Sequence, residues 1–155
     1  MITVLTSFSQ KGFAEYGARF IDTFRQYWPA EVNLLIYHEN QPELGGIDLM
    51  SEVPNCVEFI RRHRDNLVVQ GRMRAEGHHW KKTCLQEGYN FRFDAYKFSR
   101  KVFAIEHAAK SVKIGRLFWV DADVITFDRV TIEFLVQQLP EHVCTSYLGR
   151  SRGYH

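Results

Sequence analysis

With 155 residues, 45% of them hydrophobic and 14% aromatic, the chain is long enough for one domain of ordinary size and can bury a substantial core. That composition excludes a disordered tail, and a formal net charge of +2 gives no general preference for nucleic acid. Three widely separated cysteines, Cys56, Cys84 and Cys144, form no C-x-x-C pair, which argues against a disulfide framework and for a reducing compartment. In chain order, residues 2–5 are a β-branched and aliphatic run that stops at Thr6-Ser7-Phe8-Ser9, so a strand is predicted almost at the amino terminus. Phe13, Tyr16, Gly17, Phe20, Phe24 and Tyr27 then recur at three- and four-residue spacing and predict a helix whose aromatic stripe is core. Ser9 suits its N-cap, and Pro29 ends it. Residues 32–37 read as a second buried strand closed by His38-Glu39-Asn40, which makes a βαβ unit with a parallel strand pair and a right-handed crossover.

Residues 41–55 contain two prolines and Gly45-Gly46 and are expected to be loop with a turn of helix, and residues 57–60 a short strand. A basic stretch follows between residues 61 and 92. Here Arg61, Arg62, Arg64, Arg72, Arg74, Lys81, Lys82 and Arg92 are opposed only by Asp65, Glu76 and Glu87. Its weak apolar pattern predicts an irregular or short-helical excursion. Such a segment fits a solvated loop or a cation-lined wall for a phosphorylated ligand or acidic acceptor. It fits less well a zinc site at His78, His79 and Cys84, whose spacing does not match two paired ligand sets.

The second clear helix spans residues 94–110, with Asp94 suited to its N-cap or first turn and Phe98, Val102, Ile105 and Ala109 as its apolar stripe, Phe103 beside it. Lys97 and Lys101 stand one turn apart, placed either to solubilise the helix or to meet a diphosphate. After Gly115 comes the stretch Arg116-Leu-Phe-Trp-Val-Asp-Ala-Asp-Val-Ile-Thr126, an apolar run interrupted by two carboxylates. Read as a buried strand, it projects Asp121 and Asp123 to one side, an anionic notch suited to Mg²⁺ or Mn²⁺ and through it to a phosphate. Asp-x-Asp also occurs simply as a turn former or helix N-cap. Residues 128–139 give another helical stripe (Ile132, Leu135, Val136, Leu139) ended by Pro140, and residues 143–148 a last strand before the tail at 149–155. No repeat, low-complexity tract, amino-terminal leader or membrane-length apolar run is present, so a soluble, cytoplasmic α/β protein is expected.

Three of these pieces, taken in order, resemble the nucleotide-sugar-binding half of a GT-A-fold glycosyltransferase, of the broad type that includes glycogenin-like and bacterial lipopolysaccharide transferases. They are the strand ending in Thr6-Ser7-Phe8-Ser9, the cationic helix Tyr96-Lys-Phe-Ser-Arg-Lys-Val-Phe103, and Phe118-Trp-Val-Asp-Ala-Asp-Val-Ile125, which matches the family's aromatic-hydrophobic D-x-D signature. The resemblance implies a Rossmann-like, mostly parallel sheet flanked by helices and transfer of a sugar from a nucleoside-diphosphate donor. It implies Mn²⁺ or Mg²⁺ on Asp123 and on Asp121, the latter alternatively reaching the ribose. Thr6 and Ser7 would cradle base and ribose, with Lys97 or Lys101 near the diphosphate. Members of the family usually run well past this length, so the acceptor-binding half is expected to be missing. The acceptor is unspecified, and no catalytic base or nucleophile is assigned; His142 and His155 are not promoted to metal ligands.

Two other functions compete. A haloacid-dehalogenase-like phosphatase also carries Asp-x-Asp after an apolar strand, but near its amino terminus and followed by Gly or Thr, where this chain has Val124. A non-catalytic binding or structural module on the same scaffold is the alternative of a different class. An uncovered sheet edge offers a route to self-association.

Overall fold

The computed structural model describes residues 1–72, 88–111 and 115–141. Its centre is a four-stranded, all-parallel sheet of β1 (Ile2–Phe8), β2 (Val32–His38), β3 (Ile47–Asp48) and β4 (Arg116–Trp119), in the order β3-β2-β1-β4. Helices cover both faces, as parallel sheets require, and the fold is Rossmann-like α/β.

Period-two alternation along the strands divides the core. Ile2, Val4 and Phe8 of β1 and Phe118 of β4 face one side. There they meet Phe20, Ile21 and Phe24 of α2 (Ala18–Tyr27) and Leu135 of α5 (Ile132–Gln138). Leu5 and Tyr37 face the other side, against Cys56 and Ile60 of α3 (Pro54–Arg62) and Ala104 and Ala108 of α4 (Ala95–Ser111). The Tyr37 hydroxyl is satisfied there by His107 Nδ1 at 2.9 Å.

The first helix begins as α1 (Gln10–Gly12), where the Ser9 hydroxyl accepts from Gly12 N as the expected cap, and passes through a π segment, Phe13–Gly17, into α2. Asp94 likewise caps α4, its Oδ1 accepting from Lys97 N at 2.7 Å.

Five expectations need correction. Residues 57–60 lie in helix α3, not in a strand; Pro54 starts that helix, and its period of 3–4 buries Cys56 and Ile60. The loop after β2 contains the two-residue strand β3, too short to leave a periodic signal. On α4 most of the predicted stripe is turned away from the sheet: Phe98 and Val102 are 45% and 60% exposed and Ala109 is exposed, and only Ile105 packs on the core, while Ser99, Ala104 and Ala108 are buried. Small side chains are what let this helix lie close on the sheet, and Phe103 fills the margin. The last helix starts at Ile132 rather than 128, capped by the Thr131 hydroxyl accepting from Phe134 N.

The fifth correction concerns the Asp-x-Asp stretch. β4 ends at Trp119, and its last bond to β1 is Val120 N to Leu5 O. The chain then turns, with Val124 N donating to Asp121 O, and crosses to α2, where Trp28 Nε1 donates to Thr126 Oγ1 at 2.9 Å. Val124 and Ile125 are accordingly half-exposed rather than strand core. The predicted strand at 143–148, the His78, His79 and Cys84 zinc set, and His142 and His155 lie outside the described residues. Among the described residues no helix is long and apolar enough to cross a membrane.

Candidate functional site

In a parallel α/β sheet ligands collect at the carboxyl ends of the strands, where the direction of chain winding reverses. The order β3-β2-β1-β4 puts that reversal between β1 and β4. A cleft of about 590 Å³ opens there, lined by Ser7 near the end of β1 and Ser9 just after it, by Lys97, Arg100 and Lys101 of α4, and by Asp121 and Asp123 after β4.

Five of the six residues singled out in the sequence therefore share one cleft: Ser7, Lys97, Lys101, Asp121 and Asp123. Thr6 does not line it. Thr6 lies further back from the end of β1 and is fully buried, its hydroxyl without a hydrogen-bond partner among the described residues.

Asp121 is held by its neighbours. Lys101 Nζ lies 2.9 Å from its Oδ1, and Trp119 Nε1 donates to the same oxygen at 2.6 Å. The Lys101 ammonium also stands 4.9 Å above the Trp119 ring. Burial pushes the Asp121 carboxyl up, but the Trp119 donor and the Lys101 bond and charge outweigh it and hold it below the usual range. Both donors converge on Oδ1, so Oδ2 carries no bond among the described residues. Asp123 is exposed on the same turn.

No cluster of three or more His, Cys, Asp or Glu side chains able to hold a metal exists among the described residues. Asp121 Oδ2 and Asp123 are a hard, two-carboxylate oxygen set. That set suits Mg²⁺ or Mn²⁺ only when water and phosphate oxygens complete the coordination, and to that extent the donors fit.

Three cleft residues escaped the sequence reading. Tyr16 was expected in the core stripe, yet it is 37% exposed and lines the cleft. The π segment shifts the helical phase, and Gly12 makes room, because a side chain there would collide with the Tyr16 hydroxyl. Burial raises the Tyr16 pKa, and the charges of Asp123, Glu15 and Glu39 raise it further. Arg100 and Glu39 form an ion pair of 2.8 Å, with side chains only 18% and 20% exposed, that ties α4 to the segment after β2. The contact lies off the Nε–H axis, since Nε has no hydrogen-bond partner among the described residues. Gly12, four residues before an aromatic, was the one available signal for Tyr16; nothing local pairs Glu39 with Arg100.

Comparison with protein-family models, with curated proteins and with solved structures finds no match for this chain.

Proposed function

We propose that the cleft between β1 and β4 binds a nucleoside-diphosphate sugar and that the chain is the donor-binding part of a metal-dependent glycosyltransferase. One observation carries this reading: two carboxylates after β4 and the cations of α4 line a single cleft at the switch point of the sheet. A volume of about 590 Å³ suits a ligand of that size.

Asp121 and Asp123 would hold Mn²⁺ or Mg²⁺ together with the donor's phosphates. The ion, when bound, neutralises charge on the departing diphosphate. Lys97 and Lys101 supply fixed positive charge where that leaving group becomes more anionic, an interaction that strengthens as the sugar–oxygen bond breaks. Trp119 and Lys101 orient Asp121 before any ligand arrives. Ser7 offers a hydroxyl to the nucleoside end from the β1 side. Thr6, buried further back on β1, does not line the cleft.

The test is a thermal-shift series with UDP, GDP, CDP and ADP, each with and without Mn²⁺, on this chain and on Asp123→Ala. A ligand at a hundredfold excess over its dissociation constant stabilises by about 2.7 kcal/mol, or about 5–10 °C for a chain of this size. The expected result is a shift with one nucleotide that needs both the metal and Asp123. Folded protein that shifts with none overturns the proposal and leaves a non-catalytic module; a shift that ignores Mn²⁺ and Asp123 removes the metal from it.

A further inference from the structure

A second cavity, of about 670 Å³, adjoins the donor cleft and shares Asp94 and Tyr96 with it as a common wall. Arg64 and Arg72 also line it. Both belong to the basic excursion, whose ends the fold staples together at the start of α4. Asn90 N donates to Gly71 O at 2.8 Å, and Tyr96 N to Val69 O at 3.0 Å. Gly71 is required at that staple: its φ is +65°, and a Cβ would come within 2.5 Å of Asn90 O.

Among the described residues the lining of this cavity is net cationic, two arginines against Asp94. Among the described residues neither Arg64 nor Arg72 has a carboxylate within ion-pair distance. Asp94, the acid in the lining, has both oxygens engaged: Oδ2 accepts from the Tyr89 hydroxyl at 2.7 Å and Oδ1 from Lys97 N at 2.7 Å. Arg64 and Arg72 therefore line the cavity without an ion-pair partner among the described residues, and Asp94, though hydrogen-bonded, leaves its single negative charge on the shared wall against their two positive ones.

We propose that this cavity binds the phosphomonoester group of the acceptor, held between Arg64 and Arg72. A phosphomonoester has three terminal oxygens and up to two negative charges, enough for two forks, whereas the two oxygens of a carboxylate are satisfied by one. The shared Asp94–Tyr96 wall sets a phosphate-bearing acceptor beside the donor cleft. Its role as acceptor rests on the donor reading above; the anion site itself does not.

Titration of the full chain with inorganic phosphate, glucose 6-phosphate and glucuronate, followed by amide NMR, tests it without activity. Saturable shifts are expected at Gly71 and Tyr89 with both phosphates. Tighter binding of glucose 6-phosphate than of free phosphate identifies the phosphorylated sugar as the ligand, with glucuronate weaker than either. Arg64→Gln/Arg72→Gln should weaken phosphate about tenfold or more, each single change should fall between, and Asp123→Ala should leave it unchanged. Shifts that survive the double replacement, or that map only to residues 97–101, overturn the proposal. In parallel, nucleotide binding with Mn²⁺ should be unaffected by Arg64→Gln/Arg72→Gln. Phosphate binding here without nucleotide binding in the cleft overturns the donor reading alone, and the reverse overturns this inference alone.

Discussion

Replacing Lys101 with methionine separates a structural strut from a ligand-binding cation. The methionine keeps an unbranched chain over Trp119 and removes only the ammonium. The lost ion pair spans 2.9 Å between side chains that are 39% and 59% exposed, so water screens it and its loss costs about 0.2–1 kcal/mol. The cation over the Trp119 ring, at 4.9 Å, adds about 0.5–1 kcal/mol. Urea unfolding should therefore register a loss of about 1–2 kcal/mol, a drop of a few degrees in Tm. A charge-assisted contact to a diphosphate contributes more, about 1.5–3 kcal/mol, which is about a 10- to 150-fold weakening of nucleotide affinity by calorimetry. Lys110→Met is the control. Lys110 pairs with Glu106 at 2.6 Å on the same helix but does not line the cleft, so its replacement should change stability little, water screening the exposed pair, and nucleotide affinity not at all. Equal nucleotide affinity in Lys101→Met and the parent chain would refute the reasoning and reduce Lys101 to a prop for the Asp121 turn.

Three further outcomes concern the scaffold. Leu5 is fully buried in the central strand, so Leu5→Ala should cost about 3–5 kcal/mol. Val124→Ala, at a side chain 42% exposed just past β4, should stay within about 0.5 kcal/mol; a Val124→Ala loss near that of Leu5→Ala in chemical denaturation would mean the strand continues through the Asp-x-Asp turn. Burial, then the Asp94 bond and charge, push the Tyr89 phenol up to about 12. A folded-state pKa above the unfolded one means that this contribution is intact below pH about 10 and is lost as pH rises toward 12. Tyr89→Phe should be less stable than the parent at neutral pH, with the gap closing across that window, and a Tyr89 ring signal that titrates near 10 in folded protein would contradict the assignment.

What the sequence determined by itself was local and repetitive. The aliphatic run at 2–5, the aromatic periodicity from Phe13 to Tyr27 and the run at 32–37 announced β1, the first helix and β2, and with them a parallel α/β sheet. Ser9 and Asp94 were legible as caps, because a side-chain oxygen one turn before a free N–H needs no distant partner. Asp121, Asp123, Lys97, Lys101 and Ser7 stood out by residue type, and their elements were placed well enough to share a cleft.

Tertiary structure decided the rest, wherever a side chain's environment comes from residues distant in the chain. β4 ends at Trp119 because pairing with β1 stops at Leu5 and the next segment is drawn to Trp28, so composition alone overran the strand. Amphipathic periodicity finds a helix but cannot say which stripe meets the sheet; on α4 close approach selected Ala104 and Ala108 over Phe98 and Val102. Tyr16 reached the cleft through a π segment that no 3.6-residue period predicts, and Glu39 met Arg100 only because the sheet order brings the end of β2 under α4.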